Sequence, residues 1–250
     1  MRSRKRRSKA DAPRRRGVPR LRLDAVQLAT FRRRLLAWYG RAGRDLPWRR
    51  TRDPYAILVS EIMLQQTQVK RVLEYYPRFL ARYPTAEELA AASAGAVREA
   101  WQGLGYYRRA ENLHRTAREV AERCGGRFPS TPEELVRLPG IGRYTAGAVA
   151  SFAFGADAAI LDTNAARVLG RVFGAGRSKG RTARLWALAA AAIPPGRAYP
   201  FNQGIMDLGA VICTARRPEC PRCPVRPACR TGRVAVVTAP RRRGRRAAQR

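Results

Sequence analysis

The stretch LPGIGRYTAGAVA, residues 138–150, has two glycines, Gly140 and Gly142, directly before a helical pattern. A glycine-rich turn ahead of a helix presents unpaired backbone N–H groups beside the positive end of the helix dipole. That arrangement suits a phosphate or another anion. Turns of this kind also occur as plain tight corners in helical proteins. The stretch alone therefore leaves two interpretations open, an anion site and a corner.

Charge favours the first interpretation. The 250 residues include 51 Lys and Arg against 18 Asp and Glu, a formal net charge of +33. Such a field attracts a polyanion, and we expect nucleic acid. Residues 1–20 and 233–250 are predicted to be a disordered basic arm and a basic tail that contact phosphates without choosing sequence. Solvated tails without a partner are the alternative.

The N-terminal sequence MRSRKRRSKADAPRRRG lacks the apolar segment of a secretion signal. No stretch is long and apolar enough to predict a membrane span. We therefore expect a cytoplasmic, nucleoid-associated protein, with no membrane partner and acting as a monomer.

Helix start signals recur along the chain. Asp53 and Thr85 each stand where an N-cap is expected, and Thr131 is followed three residues later by Glu134. No alternating strand pattern or internal repeat stands out. The predicted fold class is all-α.

One predicted helix, PYAILVSEIML, is apolar on nearly every side and should be buried, yet Glu61 lies in its middle. An isolated buried carboxylate responds by raising its pKa, which is what a general acid needs near neutral pH. A glutamate that points outward or pairs with an arginine is the alternative.

Asp162 follows an apolar run and precedes a helical pattern, so it is predicted to be an N-cap, which does not exclude a catalytic role. The single histidine, His114, lies among arginines, and we expect it at the surface or on a phosphate. We expect no histidine-based catalytic or metal site.

Four cysteines fall in CTARRPECPRCPVRPAC at intervals of six, two and five residues: Cys213, Cys220, Cys223 and Cys229. Zinc sites more often have two separated Cys-x-x-Cys pairs, whereas this compact, uneven run suits a single [4Fe–4S] cluster. Two disulfides are the alternative, disfavoured in a reducing compartment. We expect a structural cluster.

Together these residues resemble the endonuclease III superfamily of helix–hairpin–helix DNA glycosylases, and within it the catalytic domain of the MutY family of adenine glycosylases. The motifs that carry the resemblance are LPWRRTRDPYAILVSEIMLQQTQVKRVLEYY, WQGLGYYRRAENLH, LPGIGRYTAGAVASFAFG and NQGIMDLGAVICT. The resemblance covers residues 35–229. It implies two helical lobes with a DNA-binding groove between them. Residues 54–155 would form a six-helix barrel with the helix–hairpin–helix, and residues 21–53 and 156–232 the iron–sulfur cluster lobe.

The resemblance also implies roles for single residues. The turn at Gly140 and Gly142 would donate N–H groups to a DNA phosphate. Tyr144 stands where lyase-competent relatives carry a lysine nucleophile, so no Schiff base can form and the enzyme would be monofunctional. Glu61 would protonate the departing adenine, and Asp162 would stay ionised and stabilise the cationic sugar.

The remaining implied contacts concern the flipped base and the DNA around it. Gln66 would fill the gap in the duplex and Tyr106 would wedge beside the opposing base. Asn164 would support the aspartate or a nearby phosphate. The base pocket would be lined by Trp48, Arg49 and Leu64.

Two departures from the family affect the expected substrate. Its members usually continue into a second domain that recognises 8-oxoguanine, whereas this chain ends in a basic tail, and Thr163 replaces a common glycine. The expected activity is removal of adenine mispaired with 8-oxoguanine or guanine, with weak discrimination between the two. A T·G or U·G mismatch glycosylase of the same superfamily and a non-catalytic DNA-binding protein are the alternatives.

Overall fold

The computed structural model describes residues 23–174 and 180–237, and within these ranges the regular secondary structure is helical throughout. This confirms the predicted all-α class. The predicted basic arm, and the predicted basic tail beyond residue 237, lie outside the described residues. The helices are α1 Ala25–Ala42, α2 Pro54–Leu64, α3 Val69–Arg82, α4 Ala86–Ala91, α5 Ala94–Ala100, α6 Arg108–Arg123, α7 Pro132–Leu135, α8 Arg143–Phe154, α9 Thr163–Phe173, α10 Arg181–Ala192, α11 Ala198–Val211 and α12 Arg230–Val237, with short 3-10 turns at Pro47–Arg49, Cys220–Arg222 and Arg226–Ala228.

Side-chain caps begin these helices where the sequence predicts them. The Asp53 carboxylate accepts hydrogen bonds from the N–H groups of Tyr55 and Ala56 at the start of α2. The Thr131 hydroxyl accepts from the N–H of Glu134, which caps α7, and donates to the Glu134 carboxylate.

Two apolar cores hold the molecule together. Helices α2 to α8 surround the first core, together with Leu46 and Trp48 from the segment before α2. Helices α1, α9, α10 and α11 surround the second, with Val225 and Cys229 from the C-terminal segment. The lobe boundaries implied by the family resemblance stay predictions.

Helix α2 is buried along residues 55–63, as its apolar sequence predicts. It packs against α3 and α8 in the first core. Since no face of α2 meets water, Glu61 has to lie inside the protein.

The hairpin between α7 and α8 explains the glycines of the opening stretch. Gly140 has φ +74°, and a Cβ there would lie 2.5 Å from the Cβ of Asn112 on α6, so both the backbone angle and the space require glycine. Gly142 is the N-cap of α8. Both glycines are exposed, which leaves the hairpin at the surface.

Candidate active site

A cavity of about 480 Å³ lies at the junction of the two cores and brings together side chains that are far apart in sequence. Its walls come from the segment before α2, from α2 and α8, from the start of α9 and from α11. Seven of the residues singled out in the sequence line it: Trp48, Arg49, Glu61, Leu64, Tyr144, Asp162 and Asn164.

Glu61 is 4% exposed. Its pKa is raised to about 7, mainly by burial and also by the nearby Asp162, while the Tyr144 hydroxyl and Arg49 partly oppose the shift. A carboxyl group with this pKa is present in both protonation states at neutral pH. It can therefore give a proton to a leaving group and later accept one from water.

Asp162 is the N-cap of α9, as predicted. Its Oδ1 accepts from the N–H of Ala165 at 2.6 Å, and its Oδ2 accepts from the Asn164 side-chain amide at 2.9 Å. Asn164 is held in turn by Arg167, whose Nη2 donates to Asn164 Oδ1 at 2.6 Å. Because both oxygens are occupied by N–H donors, the carboxylate has a fixed direction at the cavity wall.

A close approach of two helices supports this arrangement. Arg167 Nη2 also donates to the carbonyl oxygen of Gly209 on α11 at 2.7 Å. A Cβ on Gly209 would lie 2.6 Å from the Cβ of Asn164 and 3.0 Å from its Cα. The first turn of α9 therefore rests directly on the bare backbone of α11.

Tyr144 presents its hydroxyl among these groups. The hydroxyl donates to Sδ of Met206 at 3.5 Å. Burial, followed by the neighbouring carboxylates of Glu61 and Asp162, raises the pKa of Tyr144 well above its usual value. The side chain is therefore a neutral hydroxyl at physiological pH.

Three residues of α11 belong to the site although the sequence did not single them out. Gln203 and Met206 line the cavity. Asp207 is fully buried and pairs with Arg44 and Arg49. All three lie in NQGIMDLGAVICT, a motif that carried the family resemblance. The motif therefore indicated this segment but not its individual site residues.

Gln66 and Tyr106 lie outside this cavity. Both are exposed, and both have positive φ, 57° and 47°. Gln66 lines a separate surface cavity of about 480 Å³ together with Thr67 and Leu104. Neither Gln66, predicted to fill the gap, nor Tyr106, predicted to wedge, lines the predicted base pocket, although Gln65 and Thr67 on either side of Gln66 do.

The prediction that His114 lies at the surface was wrong. His114 is 9% exposed and lies on the face of α6 that packs into the first core, beside Leu113 and Ala117. Arg115 and Arg118 on the same helix are exposed, whereas His114 lies on the apolar face of α6.

The four clustered cysteines converge on one apolar cavity of the second core: Cys213, Cys220, Cys223 and Cys229. Two of the sulfur atoms accept hydrogen bonds, Cys213 from Arg171 Nη1 at 3.3 Å and Cys229 from the N–H of Gly232 at 3.2 Å. Four thiols facing an apolar cavity, with N–H donors on the sulfurs, fit an iron–sulfur cluster. Within residues 23–174 and 180–237, no group of three or more His, Cys, Asp or Glu side chains is arranged to hold a metal ion, and the cluster stays a prediction.

No helix in the described part of the chain has the length and apolar character to cross a bilayer.

The chain is similar to known proteins of DNA repair. Residues 59–190 match the HhH-GPD superfamily of base excision DNA repair proteins. The adenine DNA glycosylase of Homo sapiens is 47% identical over 219 residues, which cover 83% of this chain and 40% of that protein. The chain thus spans less than half the length of this curated relative.

Two solved structures share the fold. A thermostable thymine-DNA glycosylase superposes with a TM-score of 0.79 at 35% identity, covering 84% of this chain and all of that one. A trapped endonuclease III–DNA covalent intermediate gives a TM-score of 0.73 at 25% identity, covering 86% of this chain and 99% of that one. These matches confirm the resemblance, and the chain belongs to the HhH-GPD superfamily of base excision DNA repair proteins.

Proposed function

We propose that this protein is a monofunctional DNA N-glycosylase that removes adenine mispaired with guanine or 8-oxoguanine. One observation carries the proposal: Glu61, with a pKa of about 7, and the fixed carboxylate of Asp162 line a single cavity with the neutral hydroxyl of Tyr144. Two carboxyl groups in unlike environments are suited to an acid and an anion stabiliser. The match to an adenine glycosylase at 47% identity supports the choice of base.

The chemistry follows from these groups. The flipped adenine enters the cavity, and Glu61 donates its proton to N7 while the bond between N9 and the sugar C1′ breaks. The bonding electrons leave with the base. Asp162 stabilises the positive charge that develops on the sugar, and Glu61 then accepts a proton from the water that adds to C1′. The products are free adenine and an abasic site.

Two cavity residues favour a purine. Gln203 lines the cavity, and its side-chain amide can accept from N6 and donate to N1 of adenine, which leaves N7 free for Glu61. Trp48, 6% exposed, provides an apolar wall for a flat ring.

The absence of an amine at position 144 supports a monofunctional reaction. Tyr144 cannot form a Schiff base with the sugar, so the strand is not cleaved by the enzyme.

The four clustered cysteines would hold one [4Fe–4S] cluster, which supplies a rigid connection within the second core. The arginines around this segment then present positive charge to DNA from a fixed scaffold.

A mismatch glycosylase for thymine or uracil opposite guanine is the second candidate. The favouring observation is that this chain covers the whole of a thymine-DNA glycosylase structure at 35% identity.

A single-turnover assay with duplexes containing A·8-oxoguanine, A·G, T·G and U·G tests the proposal. We expect release of adenine from the first two, loss of release in Glu61→Gln, and unchanged release in Glu122→Gln, whose carboxylate is exposed on α6. Thymine or uracil release with adenine untouched would favour the second candidate. Binding without any release would indicate a non-catalytic DNA-binding protein.

A further inference from the structure

Two exposed residues on the proposed DNA side have an unfavourable backbone. Among residues 23–174 and 180–237, Gln66 and Tyr106 are the non-glycine residues with positive φ. Gln66 follows the end of α2, and Tyr106 precedes the start of α6. Residues other than glycine rarely adopt a positive φ unless the surrounding structure holds the backbone in place.

One nitrogen of Arg109 holds the first loop. Nη1 donates to the carbonyl oxygens of Ile62 and Met63 at 2.9 Å each, and to the carbonyl oxygen of Gln65, next to Gln66. The carbonyls of the last turn of α2 lack the usual N–H partner four residues on, and Ile62 O accepts only a long bond from the Gln65 N–H at 3.4 Å, so the guanidinium caps this end of the helix.

The other terminal nitrogen of the same side chain holds the second loop. Nη2 donates to the carbonyl oxygens of Leu104 and Gly105 at 3.2 Å each. It also donates to the Thr67 hydroxyl at 3.1 Å, which ties the first loop to the second.

Arg109 lies beneath the tip of the second loop. It is 9% exposed, and its guanidinium carbon is 5.4 Å from the centroid of the Tyr106 ring and 5.5 Å from that of Trp101. Both terminal nitrogens donate to protein oxygens, and Nε is buried, so this arginine is placed to organise the loops and not to contact a phosphate.

We propose that Arg109 is a positioning residue that holds loops 64–68 and 102–107 at a fixed separation, so that Gln66 and Tyr106 enter DNA as one unit. This inference rests on the proposed function. The role requires arginine, because the two terminal nitrogens of its guanidinium group can donate to two loops at once, whereas lysine has a single ammonium nitrogen.

Hydrogen–deuterium exchange of the free protein tests the connection without any DNA. Arg109→Lys should raise the exchange rates of loops 64–68 and 102–107 together, by about tenfold, and leave α8 and α11 unchanged. Arg108→Lys is the matched control, since Arg108 is the exposed neighbour. Faster exchange in one loop only, in neither, or throughout the chain would overturn the proposal. Arg109→Gln provides a second variant if the lysine variant does not fold.

A duplex with 2-aminopurine at the target position tests the role on DNA, because its fluorescence rises when the base leaves the stack. We expect Arg109→Lys to reduce the rise at saturating protein by about tenfold, and to have no further effect when Gln66→Ala and Tyr106→Ala are already present. If Arg109→Lys lowers the fluorescence rise by the same factor with and without Gln66→Ala and Tyr106→Ala, Arg109 does not act through these two residues.

The two proposals fail separately. Wild-type protein that unstacks the base but releases none refutes the proposed function and leaves the role of Arg109 standing. Wild-type protein that releases adenine without unstacking 2-aminopurine refutes the role of Arg109 on DNA.

Discussion

Arg49 and the buried Asp207 form a two-point ion pair, with Nη1 donating to Oδ2 and Nη2 to Oδ1, each at 2.8 Å. Arg44 donates to the same carboxylate through Nε at 2.6 Å and through its backbone N–H at 2.9 Å. A guanidinium at the cavity wall is therefore fixed before any ligand enters.

Replacing Asp207 should destabilise the protein strongly. Asp207→Asn leaves Arg49, whose side chain is 7% exposed, without a counter-charge, at a cost of about 3–5 kcal/mol in the free energy of unfolding. Urea unfolding measures the loss. Asp45→Asn is the control, because its pair with Arg50 is exposed and should matter little. Equal effects would contradict the importance of the buried pair.

The same variant should show a pH dependence with a definite sign. Burial raises the pKa of Asp207, but the bonds and charges of Arg49 and Arg44 outweigh it and hold the pKa below its usual value. The stability from this carboxylate is present above the ordinary aspartate pKa and is lost as the pH falls through the lowered value. The gap between wild type and Asp207→Asn should close in acid.

Glu61 should show the opposite trend. Between its ordinary pKa of 4.5 and the folded value of about 7, the folded state keeps a proton that the unfolded state has lost, so stability falls as the pH rises. Glu61→Gln cannot titrate. Relative to wild type, the variant should gain up to about 3 kcal/mol between pH 4.5 and pH 8, at 1.36 kcal/mol per unit. A difference independent of pH would mean that Glu61 is not strained by burial.

Asn164 should matter through Asp162. Asn164→Ala removes the N–H donor to Asp162 Oδ2 and the acceptor of Arg167, so the carboxylate loses its fixed direction. We expect kcat to fall by about tenfold or more with little change in KM, since the effect lies in the transition state. Glu122→Gln, at an exposed position of α6 outside the cavity, is the control. A change confined to KM would argue for a DNA contact instead.

Iron content tests the cysteine site. Anaerobically purified protein should contain about four iron atoms per chain, with the visible absorbance of a thiolate-ligated cluster. Cys220→Ser should lose iron, whereas Cys124→Ser, at the C-cap of α6 and away from the other four, should keep it. Stoichiometric zinc in place of iron would refute the cluster.

An amine at position 144 should create a new product. Tyr144→Lys places a nucleophile beside the sugar, so some enzyme should become trapped on DNA by borohydride. Wild type and Tyr144→Phe should give no trapped species. Trapping with wild type would refute the monofunctional reaction.

The sequence predicted those parts of the site that local patterns encode. Glu61 was recognisable because the surrounding helix is apolar on every side, and Asp162 because it precedes a helix. His114 was recoverable too, since Ala110, Leu113 and Ala117 mark the buried face of α6.

Other features have no local signal. Arg49 and Asp207 are 158 residues apart, so only the fold reveals that they pair. A positive φ is predicted from sequence at glycine, so the left-handed backbone of Gln66 and Tyr106 could not be predicted. In our proposal Arg109, and not the local sequence, holds it in place.

The contact between Gly209 and Asn164 makes one position intolerant of change although it offers no functional group. Even a methyl group at 209 meets both Cβ and Cα of Asn164, so the collision cannot be relieved by turning a side chain. The start of α9 would have to shift, and the aim of Asp162 with it. A screen for inactive variants should therefore find Gly209 together with the proposed catalytic residues Glu61 and Asp162, because the position of Asp162 depends on a space that must stay empty.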